Sequence, residues 1–163
     1  MALAIFDLDN TLIAGDSDYL WGQYLVDRGI VDQAQYEDAN ARFYEDYKAG
    51  TLDIDAFLKF ALKPLSEHSK AQLEQWRTEF VESHIQPILL PVARQVIAAH
   101  KARGDTLMII TATNAFVTTP IAALYGIEHL IATLPEIKDD RYTGNYLGTG
   151  NSPGLLRHLA EIH

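Results

Sequence analysis

The chain contains no cysteine, which excludes disulfide bonds, thiolate metal sites and a cysteine nucleophile. Positive charge is scarce: 13 Lys and Arg stand against 22 Asp and Glu, a net charge of −9 with neutral histidine. No Lys/Arg cluster marks a nucleic-acid footprint. No apolar run approaches the ~18 residues of a membrane span, and no charged leader precedes a secretory core, so a soluble cytoplasmic protein without a membrane partner is expected. The six histidines fall at no metal-ligand spacing. Internal repeats and low-complexity stretches are lacking too. What remains is 163 residues, 48% of them hydrophobic, enough for one average domain with a real core.

Within it, Leu3-Ala4-Ile5-Phe6 reads as a short buried strand, and Asp7-Leu8-Asp9-Asn10-Thr11-Leu12 follows directly. Asp7 and Asp9 then stand at the C-terminal mouth of a strand, where open α/β sheets place their ligands. Like charges that close raise a pKa or recruit a cation. The pair therefore points to a divalent metal and to an acid working beside a nucleophile. The plainer alternative is a strand closed by an Asp-Asn turn.

Periodicity organises the rest. Tyr19, Leu20, Trp21, Tyr24 and Leu25 recur at helical spacing over 18–29, with Gly29 as the stop. A second helix is expected over 32–49, ending at Gly50. A third starts at Thr51 or Asp53 and ends before Pro64, and a fourth is capped near Ser69 and carries Leu73, Trp76, Phe80 and Val81. After Pro87 a βαβ rhythm resumes: helix 91–103, strand 106–110, helix 118–125 with Pro120 in its first turn, and strand 130–134. Asp139-Asp140-Arg141 then turns into Tyr142-Thr143-Gly144-Asn145-Tyr146-Leu147. This predicts an α/β fold with a doubly wound, Rossmann-like parallel sheet. Residues 1–15 and 86–163 form its core, and 16–85 a helical insert.

Asp-Leu-Asp-Asn-Thr-Leu after a hydrophobic strand resembles the first motif of the haloacid dehalogenase superfamily. Gly15-Asp16-Ser17-Asp18-Tyr19-Leu20-Trp21 and Ile109-Ile110-Thr111-Ala112-Thr113-Asn114 extend the resemblance over about residues 2 to 149, toward the phosphoserine-phosphatase-like branch (subfamily IB) with a helical cap. The resemblance implies a Mg²⁺-dependent phosphomonoesterase working through an aspartyl-phosphate. Asp7 would be the nucleophile and a metal ligand. Asp9 would be the acid and base, its carbonyl a second metal ligand. Thr111, Ala112 and Thr113 would hold the phosphate. Small esters such as phosphoserine or histidinol phosphate are the implied substrates. The acidic balance is compatible with this, because a metal ion and local amides can reverse the field within one site.

Asp16, Asp18 and Arg42 are the substrate-binding candidates. Asp16 stands where phosphoserine phosphatases place a carboxylate that reads the substrate amine, but Asp16 or Ser17 serves equally as a helix N-cap. Arg42 suits a substrate carboxylate or a solvated helix face. Trp21 and Tyr44 read as core residues. His84 lies where the insert returns to the core, within reach of the cleft, and the other histidines read as surface residues. The acids of Tyr36-Glu37-Asp38 and Tyr44-Glu45-Asp46 read as a solvated face.

Beyond residue 149 the resemblance fails. The branch continues with a lysine on a helix and then a strand ending in an acidic motif, whereas Leu155 follows Gly154 here and no acidic motif remains. A truncation, an internal deletion or a frameshift each accounts for this. Lys101, Lys138 and Arg157 are the candidate replacements for the lysine. The first strand is then expected at a sheet edge, favouring a homodimer or aggregation. Two other readings stay open: a catalytically silent phosphate- or metabolite-binding homologue, and a phosphotransferase.

Overall fold

The computed structural model describes residues 1–147; the expectations for Leu155, Arg157 and their neighbours lie outside the described residues. Strand β1 (Leu3–Phe6) pairs in parallel with β2 (Thr106–Asn114), Leu3 opposite Thr106 and Phe6 opposite Ile109. β2 pairs in parallel with β3 (His129–Lys138), and β3 turns back as an antiparallel hairpin into β4 (Arg141–Leu147). The order is β1-β2-β3-β4, so the sheet is mixed and β1 is an edge among the described residues. Asp139 and Asp140, at φ 51° and 60°, supply the left-handed pair that a two-residue hairpin needs.

Two strands outrun their predicted ends. β2 continues through Thr111 and Thr113, whose β-branched side chains suit extended backbone, and its register to β3 shifts between Ile110 and Asn114. β3 continues through Pro135, where the register to β4 shifts again, as expected of a strand proline.

Four helices separate β1 from the next α/β unit: α1 (Ser17–Asp27), α2 (Gln33–Ala49), α3 (Ile54–Ser66) and α4 (Lys70–Phe80). The side chains of Asp16, Asp32, Asp53 and Ser69 each accept an amide N–H at the helix start. Gly50, at φ 72°, closes α2. α3 runs through Pro64 to Ser66 instead of stopping before it. A π-helical turn (Val81–Ile85) and a 3₁₀ turn (Gln86–Ile88) lead to α5 (Pro91–Ala102).

α6 (Ala115–Leu124) begins three residues earlier than predicted, because the Asn114 side chain caps it through the Val117 N–H at 3.2 Å. Pro120 therefore lies past the first turn and cannot donate to the Phe116 carbonyl. Arg77 of α4 fills that place at 3.0 Å, with its guanidinium 4.7 Å from the Phe116 ring centroid. One interaction thus repairs the proline defect and ties α4 to α6.

The core lies on one side of the sheet. Leu107 and Ile109 are buried there, joined by Ala4, Phe6 and Leu130, under Ala93 and Ile97 of α5 and Val117 and Ile121 of α6. Trp21, Tyr24 and Leu25 of α1 and Phe80 of α4 complete the same cluster, with Trp21 edge-on to both Phe80 and Phe116. Crossovers stepping in one direction with the usual hand place their helices on one face. Leu3, Ile5 and Ile131 point to the opposite face and are 55%, 55% and 41% exposed.

Candidate active site

The loop after β1 is built around Leu8. Its side chain is fully buried, and its carbonyl accepts the Thr11 and Leu12 amides at 3.2 and 2.9 Å. Asn10 takes a left-handed φ of 57°, its N–H bound to the Gly15 carbonyl at 2.9 Å. Anchoring Leu8 inward leaves Asp7 and Asp9, on either side of it, to line the cleft above the strand mouth. Asp7 Oδ1 accepts the Leu8 N–H at 2.8 Å, and Thr11 Oγ1 stands 3.5 Å from Oδ2.

Asp9 is held from two sides. The Ser17 N–H and hydroxyl donate to Oδ1 at 2.7 and 2.6 Å, and the Thr113 hydroxyl donates to Oδ2 at 2.8 Å. Ser17 opens α1 and Thr113 lies one residue before the end of β2, so the insert and the sheet grip one carboxylate between them. Burial pushes the Asp9 carboxyl above its ordinary range, although the bonds from Ser17 and Thr113 oppose the shift. A carboxyl so placed retains a proton more readily than a solvated aspartate, which suits a proton donor.

Thr111 and Ala112 also line the cleft, whereas Thr113 is buried behind it. The Thr113 amide, expected to meet a phosphate oxygen, donates to Thr111 Oγ1 at 3.2 Å. Thr111 in turn stands 3.5 Å from Asp9 Oδ2. The role of Ser17 and of the Thr113 hydroxyl was missed from the sequence. A hydroxyl at the first position of α1 was the available signal for Ser17, and only the pairing of β1 with β2 brings Thr113 near.

Asp16 caps α1 through the Tyr19 N–H at 3.0 Å and also lines the cleft. Asp18 lines it too. Arg42 is not brought there: it is exposed and pairs with Asp38 at 3.1 Å on the outer face of α2. Tyr44, read as core, is 60% exposed and forms part of the cleft wall. Trp21 is core as expected. His84 stacks on Phe80 away from the cleft, and His68 and His100 are half-buried, the latter on Asp105 at 2.8 Å. Lys101 donates to the Tyr125 carbonyl at 3.1 Å and Lys138 sits 3.6 Å from Glu136, so neither faces the carboxylates of the cleft.

The cleft has a volume of about 1030 Å³. Four carboxylates line it, from Asp7, Asp9, Asp16 and Asp18, together with a wall of tyrosines and phenylalanines from the helical insert. No Lys, Arg or His lines it among the described residues. Burial, then the charges of Asp16 and Asp9, push Asp18 up to about 7. A carboxyl raised in the fold binds its proton more tightly there than in the open chain. Its ionisation therefore weakens the fold as pH climbs from about 4 to 7, by on the order of 4 kcal/mol at most. Thermal unfolding of Asp18→Asn should show a gain over wild type at pH 8 that vanishes toward pH 4. A gain equal at both pH values would contradict the burial of an ionised Asp18.

The loop offers hard oxygen: the Asp7 carboxylate lines the cleft, and the Asp9 main-chain carbonyl is the second ligand that the family resemblance implies. Among the described residues no group of three His, Cys, Asp or Glu is arranged to hold a metal. Two protein oxygens completed by water fit Mg²⁺, which keeps several waters, better than a metal that needs a full protein cage. Among the same residues no helix is long and apolar enough to cross a membrane.

Known proteins are similar to this chain in sequence and fold. The family model of haloacid dehalogenase-like hydrolases matches residues 4–161. A histidinol-phosphatase of Neisseria meningitidis serogroup C is 50% identical over 165 residues, covering 98% of this chain and 74% of the relative. A phosphoserine phosphatase of Mycobacterium tuberculosis is 29% identical over 150 residues, covering 90% of this chain and 49% of its own length. The crystal structure of a Bordetella pertussis protein of unknown function superposes with a TM-score of 0.86 at 41% identity, covering 99% of this chain and 75% of that one. A substrate-bound phosphoserine phosphatase shares the fold, with a TM-score of 0.62 at 18% identity, covering 99% of this chain and 71% of that one. The chain thus spans about three quarters of the Neisseria relative and about half of the mycobacterial one.

Proposed function

Because the chain belongs to the haloacid dehalogenase-like hydrolases, we propose that it is a phosphomonoesterase of the branch with a helical cap, residues 16–85 closing over a core of 1–15 and 86–163. Asp7 attacks phosphorus, forming an Asp7 oxygen–phosphorus bond as the ester oxygen leaves. Asp9 passes its proton to that oxygen. Asp9 then takes a proton from water, whose oxygen bonds to phosphorus as the bond to Asp7 breaks and inorganic phosphate departs. The Asp7 carboxylate and the Asp9 carbonyl are the residues that would hold Mg²⁺, which when bound supplies positive charge against the phosphate. Thr111 and Ala112 border the phosphate end.

The observation that carries the substrate reading is the charge of the cleft. Phosphoserine brings a carboxylate that needs a cation, and none lines the cleft, with Arg42 turned outward. Histidinol phosphate brings an amine for Asp16 or Asp18 and a flat ring for the tyrosines, in keeping with its amine and ring chemistry. The half-identity to a histidinol-phosphatase supports the same choice. Phosphate release with and without Mg²⁺ should favour histidinol phosphate over phosphoserine by roughly 10²-fold or more in kcat/KM, because a buried charged group left without a partner costs about 1–3 kcal/mol or more. Equal turnover of both would sink the substrate assignment. Tight phosphate binding with no turnover of any ester would leave the silent-binder reading instead.

Among the described residues β1 is an edge of the sheet, and the exposed Ile5 on it supports association through a second copy of the chain. Light scattering after gel filtration should find concentration-dependent dimers that Ile5→Lys converts to monomers. A wild-type monomer at every concentration would rule this out.

A further inference from the structure

Gly22 lies in the middle of α1, where glycine is a poor helix former, and its φ is not left-handed. Its reason is steric. A Cβ at this position would lie 1.9 Å from the Tyr36 Oη, 2.5 Å from Cζ and 2.8 Å from Cε1. The bare Cα of α1 is therefore the seat on which the phenol end of Tyr36, from the first turns of α2, comes to rest.

Tyr36 is confined on its other sides. Its ring packs against Phe60 of α3, 5.2 Å between centroids and tilted by 32°. Asn40, one turn on in α2, hydrogen-bonds its hydroxyl, and burial with the nearby Asp18 charge pushes that hydroxyl up to about 12, so it stays a neutral donor. With Gly22 below and Phe60 beside it, Tyr36 borders the cleft, which it lines together with Asp18 and Asn40.

We propose that Gly22 is a positioning residue for substrate selection: it seats Tyr36 back against α1 and so sets the room left for the part of the substrate beyond the phosphate. The consequence for substrates rests on the phosphatase reading; the seat itself does not. A methyl at position 22 displaces the phenol toward the cleft, shortening it where a ring would lie while leaving the Asp7 end distant. Esters with a large leaving group should suffer more than short ones carrying the same amine.

The test compares histidinol phosphate with phosphoethanolamine, which keeps an amine and lacks a ring, in wild type, Gly22→Ala, Tyr36→Ala and the double variant. Gly22→Ala should raise KM for histidinol phosphate and lower the ratio of the two kcat/KM values by about tenfold or more, the worth of a misfit methyl in a shaped site. With Tyr36 already truncated, adding the methyl should change that ratio no further. It should then raise the thermal midpoint slightly, since alanine favours the helix once the clash is gone. An equal loss on both esters, or a Gly22→Ala effect undiminished in the Tyr36→Ala background, would overturn the proposal. Should Gly22→Ala alone fail to fold and the double variant fold, the seat stands, and the ratio is read from Tyr36→Ala. Should the wild type turn over neither ester, the phosphatase reading falls, and additive thermal midpoints across the four proteins would still overturn the seat.

Discussion

Asp7→Asn should release no phosphate above background from any ester, a loss on the order of 10⁶-fold, the scale reached when a covalent nucleophile is taken from a working site. Asparagine keeps the shape and can still accept the Leu8 N–H that orients Asp7 in the loop. The buried anchors that follow it, Leu8 and Leu12, are untouched, so the variant should fold like the parent. What it loses is the anionic oxygen that the proposed mechanism bonds to phosphorus. Acid-quenched samples should accordingly hold a phosphoenzyme in wild type and none in the variant. An asparagine variant retaining a few per cent of wild-type turnover would mean that Asp7 is not the nucleophile.

The second large effect falls on Asp9 and depends on the ester. Asp9→Asn should slow the burst of alcohol release from an alkyl phosphate by about 10²- to 10⁴-fold, the usual contribution of a placed proton donor. p-Nitrophenyl phosphate should lose far less in its burst, since that phenolate departs without a proton. Ser17→Ala and Thr113→Val should show the same selectivity with smaller losses. Ser17 makes two of the bonds on Oδ1 and Thr113 the short one on Oδ2, so each aims the carboxyl although neither lines the cleft. Equal losses on the two esters would show instead that these residues merely hold the loop together.

Local chemistry was the legible part of the sequence. Asp32, Ser69 and Gly50 start and stop helices through contacts with residues three or four positions away, and the apolar run of β1 placed Asp7 and Asp9 at its mouth. What escaped prediction depends on distant partners. Pro120 marks a helix start only if the Phe116 carbonyl has no other donor, and Arg77, 39 positions earlier, provides one. The grip on Asp9 joins residues 104 positions apart. Arg42 and Tyr44 are two positions apart on α2 and so lie on different sides of it; one pairs with Asp38 and the other faces the cleft. Which side meets the cleft is set by how α2 sits on α1 and α3, a matter on which the pattern of α2 itself is silent because none of its residues is buried.

The pairing of β1 with β2 also has a consequence in time. The Ala2–Asp105 bond that fastens the end of this pair closes a span of 103 positions. Contacts that distant are the slow ones to form, because the intervening chain must be gathered first. At the usual pace of synthesis, roughly 5 to 20 s separate the emergence of β1 from that of the strand it pairs with. Meanwhile α1 to α4 can begin to organise through their caps and near neighbours. The strand β1 and the loop after it, which carries both carboxylates, are therefore among the last to find their place in the sheet. A nascent chain arrested before residue 106 would present Leu3, Ile5 and Phe6 to whatever waits at the ribosomal exit.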